Sequence, residues 1–184
     1  MKYIALFVIF CTVFIACEQK KTQKSVKETA KNEKYLNTKD ETIVFDSIAP
    51  IKIIYKDSIV DWKGYFKVTK ALEGLKETTP NEALNAAEEL VKDVELMRDS
   101  ITVKVLDERG MRARMNVLFN QALRLQEMKD IPAITVDEII KQTQGLFTIF
   151  RMINTKINAI YEQNDFEKEL IEEDFFFSKL DSIE

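Results

Sequence analysis

The sequence predicts an all-α fold, an antiparallel bundle of about four helices, and three observations support that class. Glycine and proline are scarce, 4 and 3 in 184 residues. That is too few to punctuate a sandwich or barrel that turns every ten residues or so. Lys, Glu, Leu and Ala, all strong helix formers, are plentiful. Between residues 56 and 163, apolar residues recur at steps of three and four, and two capping boxes mark helix starts.

The chain begins with Lys2 and a fourteen-residue run, Tyr3 to Ala16, in which Thr12 is the only clearly polar member. A positive start followed by a short apolar stretch has the form of a secretory signal peptide, assigned to residues 1–16. A spanning helix would need about 20 apolar residues. The run closes Phe14-Ile15-Ala16-Cys17. This resembles the lipobox of bacterial lipoproteins, in which a small residue precedes the acylated cysteine, with Phe14 and Ile15 replacing the usual Leu and small residue. Cys17 is therefore the expected lipidation site. At about 0.8 kcal/mol per buried methylene, the two or three acyl chains of such proteins hold a chain stably on a membrane.

Residues 17–41 are expected to form a flexible charged tether. Positions 18–34 carry six Lys and three Glu, with Val26 as the only sizeable apolar side chain. Such a stretch cannot bury enough surface to fold. Its seventeen residues span roughly 60 Å when fully stretched. The stretch is net +3, whereas residues 35–184 hold 20 Lys and Arg against 28 Asp and Glu, a net charge of −8. A basic tether suits anionic headgroups, and an acidic body is held off them. Surface-exported lipoproteins of Bacteroidota tend to carry an acidic run directly after the cysteine. Here Glu18 is followed by Gln19, Lys20 and Lys21, so the expected location is the cell envelope, facing the periplasm.

Residues 42–55, TIVFDSIAPIKIIY, are rich in β-branched residues and broken by Pro50. They suit one or two short strands or an extended strap along the helical core, and the strap is expected, since no other convincing strand exists to pair with it. Helices are expected over residues 56–163. The first covers about 56–76, capped by Asp57 or Ser58, with Ile59, Trp62, Phe66, Leu72 and Leu75 on one face. The second starts at Thr79 as N-cap, with Pro80 at the first helical position and Glu82 closing a capping box. Its lining residues are Leu84, Ala87, Val91 and Val94. Residues 100–107 are ambiguous between extended chain and helix. The third helix covers about 107–128, with Met111, Met115, Leu118, Ala122 and Leu125 as its stripe. The fourth opens at a second capping box, Thr135 with Glu138, and runs to about residue 163 over Ile139, Gln142, Leu146, Ile149, Ile153, Ile157 and Ile160. Short connections favour antiparallel neighbours. Residues 164–184 form an acidic, aromatic C-terminal segment.

The segments LFNQALRLQEM, IPAI and INTKINAIYEQ, within residues 118–163, resemble a group of uncharacterised, flavobacterial-type Bacteroidota lipoproteins. That resemblance implies a helical fold and a cell envelope, and carries no assigned activity.

Composition excludes much chemistry. The chain has no histidine, and its two cysteines, Cys11 and Cys17, both lie in the first 17 residues. Imidazole-based nucleophile activation, imidazole zinc sites and thiolate metal sites in the body are ruled out. Carboxylate pairs such as Glu88/Glu89, Asp107/Glu108 and Asp137/Glu138 are adjacent on helices and point about 100° apart. They do not converge as a glycosidase pair must. Met111, Met115, Met128 and Met152 read as core filler ahead of soft-metal ligands. No enzyme, cofactor or metal is expected, and the acidic body has no basic stripe for nucleic acid.

Two features remain as candidate sites. Arg112, Asn116, Asn120 and Arg124 form a polar row at four-residue steps on the third helix, and Arg151, Asn154 and Asn158 form another on the fourth. Facing each other, the two rows would make a small anion- or amide-binding groove. Otherwise they would serve a hydrogen-bond network or a solvated face. Phe175, Phe176 and Phe177 are costly to leave in water, at about 1.5–3 kcal/mol per ring. They suit either folding back on the bundle or docking on a partner. The leading expectation is a membrane-tethered interaction module that binds an envelope protein. The alternative is a bundle that binds a small ligand or metal.

Overall fold

The structure, a computed structural model, describes residues 39–181, with side chains through Glu173. The expected signal peptide, Cys17 and nearly all of the expected tether lie outside the described residues. The helical expectation holds, with four α-helices among the described residues: α1 (Lys63–Gly74), α2 (Pro80–Asp99), α3 (Arg109–Met128) and α4 (Val136–Asp181). Each packs on the next, and α4 also touches α2.

Short strands β1 (Ile43–Val44) and β2 (Glu77–Thr78) pair antiparallel, with Ile43 opposite Thr78 and Val44 opposite Glu77. The strap therefore does find a strand partner, in the turn between α1 and α2. Two residues of pairing carry no readable sequence alternation, which is why periodicity missed it. Beyond β1 the strap runs extended to two tight 3-10 turns, Ile53–Tyr55 and Asp57–Ile59.

α1 begins later than expected. Its N-cap is Trp62 rather than Asp57 or Ser58, because residues 53–59 are spent on the tight turns. The buried face of α1 is Tyr65, Val68 and Leu72, and Phe66 is exposed. Two contacts fix the start of α1 against the end of α2. The Trp62 indole donates to the Met97 carbonyl at 2.9 Å. Gly64 lies so close to the α2 backbone that an added Cβ would sit 2.4 Å from Met97 Cα.

Both capping boxes form as read. Glu82 N–H donates to Thr79 Oγ1 at 3.2 Å and Thr79 N–H to Glu82 Oε2 at 2.8 Å. At the head of α4 the reciprocal bonds are 3.3 and 2.9 Å between Thr135 and Glu138. These bonds satisfy donors that a helix N-terminus otherwise leaves open. They also hold both Glu carboxyls below the usual range, through hydrogen bonds from the Thr79 backbone and the Thr135 hydroxyl first.

The expected stripe of α3 is wholly buried. On α4, Ile139, Leu146, Phe147, Phe150, Ile153 and Ile157 close the core. Gln142 is buried among them and donates to the Gln121 carbonyl of α3 at 2.8 Å. The polar residue is thereby satisfied, as burial requires. α4 does not end near residue 163. It continues unbroken to Asp181, because no Gly or Pro interrupts residues 146–184. At 1.5 Å per residue it is roughly 70 Å long.

Candidate functional site

The two polar rows have separate jobs. The α4 row grips the strap. Asn154, only 1% exposed, donates from Nδ2 to the Ala49 carbonyl at 2.6 Å and accepts the Tyr65 hydroxyl at 3.1 Å. Asn158 accepts the Lys52 backbone N–H at 2.9 Å and donates to the Pro50 carbonyl at 3.4 Å. Arg151 pairs with Asp46 at 3.5 Å. Side-chain amides thus present to the strap the donor and acceptor pattern that a neighbouring strand would offer. Burial pushes the Tyr65 phenol up to about 12. Rings reinforce the seam, with Phe45 stacked on Phe147 at 5.3 Å and Tyr55 on Tyr161 at 4.9 Å.

The α3 row lies at the surface. Arg112 pairs with Asp107, and Asn116, Asn120 and Arg124 are exposed. Among the described residues, none of the four bonds to Arg151, Asn154 or Asn158. The groove expected between the rows is therefore absent. The α4 row faces the strap and not α3.

A groove of about 610 Å³ lies elsewhere, between α1 and α2. Ala71, Leu75, Ala86 and Leu90 line it together with Lys67, Lys70, Glu89 and Asp93. Asp93 is buried in the helix interface, and its charge is met by Lys67 at 3.5 Å. Leu75 and Glu89 apart, none of these residues stands out in the sequence, because each occupies an ordinary position on an amphipathic helix. With Glu77 and Glu82 also on the lining, acidic side chains outnumber the two lysines four to two. Among the described residues, no group of three acidic, His or Cys side chains is placed to hold a metal.

The largest departure from a closed bundle is the far half of α4. From residue 162 to 173 no side chain is buried, and Phe166, Leu170 and Ile171 are 60%, 45% and 68% exposed. Phe166 stands nine residues after buried Ile157, which at about 100° per residue is the opposite side of the helix. Leu170 follows one turn later, close to the same side. Neither continues the seam that α4 buries in the bundle. The backbone of Phe175, Phe176 and Phe177 belongs to α4, and their side chains lie outside the described residues. In the sequence, Phe177 stands eleven residues after Phe166, a step that returns to the same side of a helix.

Compared with protein-family models, characterised proteins and solved structures, the chain shows no match. Among the described residues no helix is long and apolar enough to cross a membrane.

Proposed function

We propose that this chain is a non-enzymatic interaction module, lipidated on Cys17 and tethered to a membrane in the cell envelope, that docks an envelope protein through the projecting half of α4. One observation carries the reading: α4 extends twenty residues past Tyr161 and leaves Phe166, Leu170 and Ile171 in solvent. Exposed large apolar side chains grouped on one element are the usual mark of a binding surface, and helix-in-groove docking reads side chains at such spacing. The α4 polar row, bonded to the chain's own strap, supports the same reading over a small-ligand groove between the two rows. The lipobox-like Cys17 and the likeness of the bundle half to envelope lipoproteins supply the location.

Two experiments test this reading. Crosslinking in native envelopes should recover a reproducible partner that is lost when Phe175, Phe176 and Phe177 are changed to Ser, with circular dichroism unchanged. Recovery unaffected by those changes together with Phe166→Ser and Leu170→Ser would remove α4 from the interaction. Metabolic labelling with a fatty acid should mark the wild-type chain and not Cys17→Ala; label persisting in the variant would overturn the anchor.

A further inference from the structure

The chemistry along the projecting helix narrows what the partner can be, given the docking role proposed above. Phe166 and Leu170 form an apolar strip flanked by carboxylates. Glu169 and Glu173 each stand one turn on from these residues and Glu167 stands nearby, all three exposed, while Glu162 is paired with Lys52 of the strap. The single cation between residues 162 and 173 is Lys168, which is turned to Asp165 at 3.4 Å. The stretch is strongly acidic all the same, with six carboxylates against this one ammonium.

We infer that the α4 strip docks into an apolar groove rimmed by Lys and Arg on a different protein. The alternatives fail on charge. A second copy of this chain would bring one carboxylate-flanked strip against another, and like charges across an interface repel. An anionic bilayer surface repels the same rim. A basic rim meets Glu169 and Glu173 with opposite charge, while a groove covers Phe166 and Leu170. Because the strip lies opposite the face that α4 buries in the bundle, the partner can seat without disturbing the core. The α1–α2 groove of the chain itself is not such a receptor, since Lys67 and Lys70 there stand against Glu89 and Asp93.

The test places a photo-crosslinking phenylalanine analogue at position 166 of the full chain in its own cells, and maps the crosslinked residue by mass spectrometry. The expected product joins Phe166 to another protein, in a segment with an excess of Lys and Arg. Its yield should fall at least fivefold with Glu169→Lys plus Glu173→Lys, and also as the salt applied to isolated envelopes rises from low to about 0.5 M. A crosslink to a second copy, to lipid, or to a neutral or acidic segment with unchanged yield would overturn this partner assignment while leaving docking by α4 standing. No crosslink from position 166 or position 170 would overturn the docking role itself. Both charge reversals fall on exposed residues, and circular dichroism of each variant checks that the fold is kept.

Discussion

At the scale of single residues, Asn154 has the greatest structural consequence. Its amide joins three parts of the molecule: α4, the strap at Ala49, and α1 through Tyr65. Asn154→Leu keeps the volume but leaves a buried hydroxyl and a carbonyl unpaired, at about 1–3 kcal/mol each. Urea unfolding should show a loss of about 2–4 kcal/mol, whereas half-exposed Asn158→Ala should cost about 1 kcal/mol or less. Tyr65 adds a pH dependence. Its phenol stays neutral in the fold up to about pH 12, while in the unfolded chain it releases its proton near pH 10. Stability should therefore fall between pH 10 and 12, by about 2–3 kcal/mol from this group. Tyr65→Phe should lack that component when the two alkaline unfolding series are compared. The sequence marked Asn154 and Asn158 as unusual because Asn is a poor helix former. It could not tell that their partner was the chain's own backbone, since that depends on where the strap lies.

At the scale of elements, the helix starts were the most legible feature. Thr79-Pro80-Asn81-Glu82 and Thr135-Val136-Asp137-Glu138 carry their capping chemistry locally, so no tertiary knowledge is needed to read them. The start of α1 was not legible, because it is fixed by a long-range fit. Trp62 and Gly64 meet the backbone of α2 near Met97, and nothing in residues 53–63 encodes that approach. Gly64→Ala should show how tight the fit is. The added methyl would meet backbone atoms that cannot swing aside, and overpacking of this kind costs about 1–3 kcal/mol or more. A drop in melting temperature larger than that of Gly74→Ala, where nothing lies within 4 Å of the added atom, is the expected result. At Gly74 the helix-propensity gain of Ala would offset or reverse any loss. The end of α4 was misread for a different reason. After Tyr161 the next large apolar side chains, Phe166 and Leu170, stand on the opposite side of the helix, and a reading that follows one stripe stops there.

At the scale of the whole molecule, the structure divides into a closed body and a projecting rod. The body carries the strap, α1 to α3 and α4 through Tyr161; the rod is the rest of α4. Since residues 162–173 bury no side chain, a chain ending at Asn164 should unfold within about 1 kcal/mol of the full chain, apart from the Tyr55 contact with Asp165. A much larger loss in equilibrium unfolding would mean that the rod belongs to the body after all. Fold class was readable at this scale because it follows from composition and periodicity. The proposed docking face was only half readable: the Phe and Leu residues were visible in the sequence, but their freedom from the core was not.

The strap also has a mechanical meaning. Lys39 and Asp40 are bonded to Asn81 at the start of α2, and beyond them the strap's contacts with α4 follow one another in sequence order: Asp46 at Arg151, Ala49 at Asn154, Pro50 and Lys52 at Asn158. A pull on the N-terminal end therefore loads these bonds one after another, as a zipper opens, and never all together. Weak bonds loaded in series yield at low force, so the strap should give way before any helix unwinds. Residues 43–59, once freed, span at most roughly 55 Å end to end, so the helices are spared while the N-terminal end moves.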